Sequence, residues 1–219
     1  MRPRRPRCSG RIGADRKEPS DAKAAGHHVV TLDGVMQAPG GPEEDASNGF
    51  THGGWSANFW DETMGEVIGG IMGKPFDLLL GRRTYDIFRG YWPTSTEPGA
   101  KELNAATKYV ASRSDRPLDW SPAVLIRDVP TEVAALKQSD GPELQVHGSG
   151  NLIQTLLHEN LIDELHIWTF PVLVGPGKRL FADGVVPAAL KLTGTTISTT
   201  GVVIGTYEPA GELVTGSIG

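Results

Sequence analysis

From Leu144 to Phe170 the chain passes through an apolar strand, Leu144-Gln145-Val146-His147, a turn, Gly148-Ser149-Gly150-Asn151, a helical stretch, Leu152 to Glu159, and a second apolar strand, Leu165-His166-Ile167-Trp168-Thr169-Phe170. Two such strands joined through a helix lie parallel with a right-handed crossover, and a parallel sheet needs helices on both faces. This unit alone confines the chain to the α/β class. The order repeats upstream, where Phe76 to Leu80 runs into Gly81-Arg82-Arg83-Thr84 and a helix begins, broken at Gly90 and the Tyr91-Trp92-Pro93 turn.

Between and around these units the pattern is regular. His28-Val29-Val30-Thr31-Leu32 reads as a short first strand, and Val35 to Gly54 as a long loop rich in Gly, Pro and acids. A connection of that length in a compact domain is functional or mobile, which suits a lid. Apolar residues recur at helical spacing from Ser56 to Met72, with Ser56 as N-cap. Lys108 to Ser112 and Ala123 to Ile126 read as strands, and Thr131 to Gln138 as a helix capped by Thr131. Beyond Phe170, Val172-Leu173-Val174, Leu190 to Thr193 and Val202 to Tyr207 read as antiparallel strands closing the sheet.

At 219 residues, one domain with tails is the expected organisation: a basic, disordered extension over 1–26, a domain over 27–210 and a flexible tail over 211–219. The net charge of −5 hides a split, because residues 1–28 hold eight basic and three acidic residues while 29–219 hold 13 and 23. An acidic body argues against nucleic acid as a partner. No run approaches the roughly 20 apolar residues of a membrane span. The single cysteine, Cys8, lies in the tail, which excludes a disulfide framework within the fold and points to the reducing cytoplasm. The six histidines, at 27, 28, 52, 147, 158 and 166, show no His-x-x-x-His spacing, so no metal is expected.

Three expected strands end in groups suited to phosphate: Gly81-Arg82-Arg83-Thr84, Ser112-Arg113 and Gly148-Ser149-Gly150. Ligands of open α/β sheets bind outside the carboxyl ends of the strands. Gly148 and Gly150 let backbone approach a pyrophosphate, the helix starting at Asn151 turns free N–H groups toward it, and Ser149 adds a hydroxyl. Arg82, Arg83 and Arg113 suit a second phosphate, such as the 2′-phosphate that separates NADP from NAD. Taken singly, a Gly-Ser-Gly turn or a surface arginine is commonplace.

Together and in order over Val29 to Pro209, Thr31-Leu32-Asp33-Gly34, the loop Met36 to Pro42, Leu80 to Tyr85, Tyr109 to Arg113, His147 to Gly150 and Pro171 to Phe181 resemble the dihydrofolate-reductase-like proteins of the riboflavin-biosynthesis reductase C-terminal domain family. The chain departs from that pattern at Ala24-Ala25-Gly26-His27, where members have a longer first strand. The resemblance implies a mixed, mostly parallel sheet flanked by helices with antiparallel C-terminal strands. It also implies NADPH across the strand ends and hydride transfer to a small pterin- or pyrimidine-like acceptor. Its carboxylate on the helix after the lid corresponds to Asp61, Glu62 or Glu66; Asp61 is the preferred proton donor and Asp33 the rival. Trp55, Trp60 and Trp92 are expected to wall a planar substrate. Absence of a zinc-binding His/Cys set removes the deaminase half of bifunctional members, which leaves the acceptor open. A non-catalytic nucleotide-binding paralogue is the alternative, and assembly into a homodimer is left open.

Overall fold

The structure, a computed structural model, describes residues 22–181 and 185–218. Cys8 and the expected disorder of the basic extension fall outside the described residues over 1–21. Eight strands form one sheet in the order β4-β3-β2-β5-β1-β6-β8-β7. They are β1 (Ala24–Thr31), β2 (Phe76–Gly81), β3 (Lys108–Ala111), β4 (Ala123–Ile126), β5 (Glu143–His147), β6 (Glu164–Phe170), β7 (Leu190–Ile197) and β8 (Val203–Pro209). The first six are parallel to their neighbours, and β8 and β7 join antiparallel. Strands β5 and β6 are parallel as expected, with β1 inserted between them.

The first strand starts at Ala24, four residues before the expected start, and its first three residues belong to the extension by the sequence reading. Ala-Ala-Gly has little intrinsic strand preference, but β1 pairs on both edges, with β5 through Ala24–His27 and with β6 through Ala25–Thr31. Small residues are needed there, because a Cβ on Gly26 would lie 2.8 Å from Leu165 Cδ2 and 3.0 Å from Ile153 Cδ1. Asp163 fixes the strand end by accepting from the Ala24 N–H at 2.8 Å.

Among the described residues five α-helices cover the sheet: α1 (Glu62–Met72), α2 (Arg82–Tyr91), α3 (Ala100–Ala105), α4 (Val129–Lys137) and α5 (Gly150–His158). On one face α4 and α5 bury Val133, Ile153 and Leu156 against Leu79, Leu144, Val146 and Leu165. On the other, α2 and α3 cover Phe76, Leu78 and Leu80, and α1 covers Trp168 and Phe170. This division follows from strand alternation, since neighbouring residues of β2 serve opposite cores.

Several boundaries differ from the sequence reading. Ser56 caps nothing; α1 begins at Glu62 with Asp61 as N-cap, its carboxylate accepting from the Met64 N–H at 2.9 Å. The cap of α4 is Asp128 rather than Thr131, whose N–H it accepts. Helix α2 continues through Gly90, and α3 carries too few residues to show a period. Val172–Val174 is not a strand, because Leu32 N–H is taken by the Val172 carbonyl and Asp33 accepts from Val174 and Gly175 N–H, which turns the segment away from the sheet.

A chain begun at Ala22 is expected to melt higher than one begun at His27. Loss of the paired, buried start of β1 should lower Tm by roughly 5–10 °C, since ~2–3 kcal/mol of hydrogen bonds and packing goes with it, as thermal unfolding of the two truncations checks.

Candidate active-site cleft

Strand β5 is short where its neighbours run on. Its pairing with β1 stops at His27 and His147, while β1 continues to Thr31 against β6 alone, and β2 continues to Gly81 against β3. The result is a notch above the end of β5. The chain leaves β5 for α5 on one face and β2 for α2 on the other, which is the switch point where α/β ligands bind. A cleft of about 1160 Å³ opens there, among β-strand ends, the loop 35–54 and the segment 177–181.

Every residue expected to contact cofactor lines this cleft: Gly81, Arg82, Arg83, Thr84, Ser112, Arg113, Gly148, Ser149, Gly150 and Asn151. Their roles differ from those expected. The Ser149 hydroxyl bridges the notch, accepting from Gly81 N–H at 2.9 Å and donating to Thr84 Oγ1 at 3.0 Å. Thr84 Oγ1 also accepts from Ser149 N–H at 3.0 Å, which leaves its own hydrogen to donate elsewhere. Gly148 holds φ +55°, and a Cβ there would sit 3.1 Å from Thr84 Oγ1, so glycine permits this crossing. Neither α2 nor α5 has a side-chain cap, so both helices present open N–H groups to the cleft.

The arginines divide. Arg82 is held by Asp86 at 2.9 Å and by the carbonyls of Arg116 and Pro117. Arg83 donates to both oxygens of Asp45, one of which also takes Lys178 Nζ at 2.6 Å. Burial alone would raise the Asp45 pKa, yet hydrogen bonds from Arg83, Lys178 and Ser47 carry it well below the carboxylate range. Each carboxylate also holds a second cation, Arg116 on Asp86 and Lys178 on Asp45, so both arginines are fixed within the protein while each cluster keeps one net positive charge. Arg113 and Arg179, both exposed, make no hydrogen bond or ion pair among the described residues.

Loop 35–54 is a packed wall rather than a free lid. Val35, Ala38 and Phe50 form a small core, and the buried Gln37 amide donates to the Asp45 and Ser47 carbonyls at 2.9 Å. The wall also brings Glu44 into the cleft, where burial raises its pKa against hydrogen bonds from Gly40 and Gly41 N–H.

Asp61 and Asp33 do not reach the cleft. Asp61 caps α1 and ties it to the β7–β8 turn, accepting from Thr199 N–H at 2.6 Å and Thr199 Oγ1 at 2.7 Å. Asp33 accepts from Thr31 Oγ1 at 2.5 Å and Gly175 N–H at 2.9 Å. These bonds, from Thr199 first and from Thr31 first, hold the two carboxyls below their usual range, and an ionised carboxylate has no proton to give. The tryptophans also point elsewhere. Trp55 packs edge-on to Phe170, Trp60 tilts against Trp168 and Trp92 meets Phe88.

The sequence reading missed the histidines. His27, His28 and His147 line the cleft, and the parallel register sets His27 between His147 and His166, with ring centroids 5.2 and 4.5 Å away. Their spacing along the chain carries no such signal, because this cluster comes from cross-strand register. Among the described residues no group of three His, Cys, Asp or Glu is placed to hold a metal ion, and no helix is long and apolar enough to cross a membrane.

The family described as RibD C-terminal domain matches residues 27–204, most of the sheet and all of the cleft. The chain belongs to the RibD C-terminal domain family. It is 30% identical over 190 residues to the uncharacterized protein YyaP of Bacillus subtilis (strain 168), covering 82% of this chain and 91% of that protein. Among solved structures it is similar to a putative riboflavin biosynthesis protein from Shewanella sp. PV-4, with TM-score 0.57, 19% identity and coverage of 85% and 98% of the two chains. Dihydrofolate reductase from Enterococcus faecalis complexed with NADP(H) matches at TM-score 0.55 and 15% identity, covering 86% of this chain and 96% of that one. The deaminase/5-amino-6-(5-phosphoribosylamino)uracil reductase of Thermotoga maritima matches at TM-score 0.57 and 15% identity over 87% of this chain and 57% of that one. The fold of this RibD C-terminal domain is dihydrofolate-reductase-like, as the sequence resemblance implied.

Burial lowers the pKa of His28 to about 3 with His27 adding to it, and lowers His147 and His166 for the same two reasons. An unfolded histidine titrates near 6.5, so below that pH the unfolded chain binds more protons and stability falls. Tm is expected to hold above pH 7 and to drop between pH 6.5 and 5, each such group contributing up to ~1.4 kcal/mol per pH unit. His28→Leu should flatten that slope, as thermal unfolding across the pH range will show.

Proposed function

We propose that the protein is an NADPH-dependent reductase that transfers hydride to a small heterocyclic, pterin- or pyrimidine-like acceptor. The observation that carries this reading is the facing pair of uncapped helix N-termini, α2 and α5, set on either side of the notch above β5. A pyrophosphate between them would meet open backbone N–H groups and two positive dipole ends. Gly81, Gly148 and Gly150 line the same place, where a Cβ would crowd Ser149, Thr84 or Met36, and Thr84 lines it with them.

The cleft residues thus fit a dinucleotide. Gly81, Thr84 and Gly148 to Asn151 would hold the pyrophosphate, and Arg113, unpaired at the end of β3, suits the 2′-phosphate. Arg82 and Arg83 act as props, since Asp86 and Asp45 already hold their guanidinium groups. When bound, the dihydronicotinamide supplies the hydride. Beyond His27, the backbone of β1 has no partner in β5 and offers hydrogen-bonding groups to a flat amide-bearing ring.

Reduction of a C=N or C=O bond also needs a proton. Glu44 takes that role in place of Asp61 and Asp33, because it lines the cleft and burial favours its protonated form.

NADPH is expected to raise Tm, by ~2.7 kcal/mol of stabilisation at 100 times its Kd, and NADH much less. Arg113→Ala should weaken NADPH about tenfold or more, as loss of a charge-assisted phosphate contact does, and leave NADH nearly unchanged. No thermal shift with either cofactor would refute the nucleotide reading, and equal weakening of both would return Arg113 to an ordinary surface charge.

A further inference from the structure

We propose that the open face of β8 and β7, away from the cleft, is the interface between two copies of this chain, packed face to face about a two-fold axis. All eight residues of β7 are exposed, yet the strand is two-sided. Pairing sets Leu190, Leu192, Thr195 and Ile197 opposite Pro209, Tyr207, Gly205 and Val203, and sets the last three opposite Leu165, Ile167 and Thr169 of β6. Residues opposite each other in an antiparallel ladder share a face, so these lie on the side of Leu165, which α4 and α5 cover farther along the sheet. That core reaches only Ile167 and Tyr207 at its margin. Beyond it Leu190, Leu192, Ile197 and Val203 stand 42, 53, 65 and 40% exposed, and none belongs to a hydrophobic core among the described residues. The Tyr207 ring lies over Gly205, where a Cβ would come within 2.6 Å of it, and so fills the gap the glycine leaves. The other side of β7 carries Lys191, Gly194 and Thr196, an alternation that belongs to a strand with one buried face.

Charge and chain content say what covers this face. Residues 29–219 hold 13 basic and 23 acidic residues, yet the residues that β8 and β7 place on the open face include no charge. An isologous contact sets a surface against itself, which any charge on that surface would oppose, so an uncharged patch on an acidic body is where two copies can meet. A charged partner would find nothing there to pair with. Residues 1–21 bring only Met1 and Ile12 as large apolar side chains, too few to cover four. Pairing along the free edge of β7 is opposed by the register shift between Leu192 and Gly194 and by Lys191, since a bulge and a lysine both blunt an edge strand. Stacking of the faces is left, as in a sandwich of two sheets. Leu213 and Val214, 54 and 89% exposed just past the bonds that close the hairpin at Ala189, continue the apolar surface.

Sedimentation equilibrium of the full chain tests this, under reducing conditions so that Cys8 forms no bridge. At ~50 µM, above the µM Kd of a weak specific interface, the wild type should show twice the mass of one chain. Leu192→Asp and Ile197→Asp should each weaken association by about a hundredfold or more, because the two-fold repeats the new charge in a dry contact between like-charged copies. Lys191→Asp, on the other side of the same strand, should leave the dimer unchanged, and Leu192→Met, which conserves volume and apolarity, should keep it. Circular dichroism reports that each variant is folded, and the exposure of these positions makes that the expected result. A wild-type monomer at that concentration, a dimer undisturbed by both aspartates, or a dimer lost with Lys191→Asp as well would each overturn the proposal.

Discussion

The early end of β5 is the constraint on which the site depends. Parallel pairing of β1 with β5 lasts only from Ala24 to His27, and beyond it the two chains diverge, β1 toward the segment after β6 and β5 into α5. Nothing in a sheet costs more than backbone groups left without partners in a dry interior, so such a gap persists only where water or a ligand can enter. The gap is braced at its base by one hydroxyl. Ser149 takes the Gly81 N–H and gives its hydrogen to Thr84, linking the end of β2, the start of α2 and the start of α5 across the notch.

Carboxylates in this protein serve structure more than chemistry. Asp61 joins a helix start to the β7–β8 turn, Asp33 shapes the turn after β1 and the segment after β6, and Asp45 binds loop 35–54 to α2 and to Lys178. Each is held ionised by hydrogen-bond donors, Asp61 and Asp45 by ones from distant parts of the chain and Asp33 chiefly by nearby Thr31. The consequence for the cleft is a charge pattern unlike the one a count of residues suggests. Of the three arginines in the phosphate-suited motifs, Arg82 and Arg83 are held by internal carboxylates and Arg113 is free.

Much of the candidate cleft was legible because it is local. A glycine-containing turn between an apolar strand and a helix carries its geometry in a few consecutive residues, and all ten expected cofactor contacts line one cleft. Asp61 was misjudged for the opposite reason: its partner, Thr199, lies 138 residues away, and no local pattern distinguishes a capping carboxylate from one facing a substrate. Trp55 likewise faces Phe170, and only the packing of α1 on β6 decides that.

By itself the sequence determined the class of fold, the order of the eight strands and of four helices, but not α3 or the absence of a strand at Val172–Val174, and it carried the family resemblance and the segments that meet at the cleft. Class and element order rest on periodicity and turn chemistry, which act over a few residues, whereas the family rests on the resemblance of the motifs taken together. The tertiary structure decided which charges remain available, where β1 begins, and that His27 and His28 stand at the inner wall. Those outcomes depend on strand register and on partners far apart in the chain: Ala24-Ala25-Gly26 becomes a central strand because β5 and β6 flank it, and His27 meets His147 and His166 because the three fall level in adjacent strands.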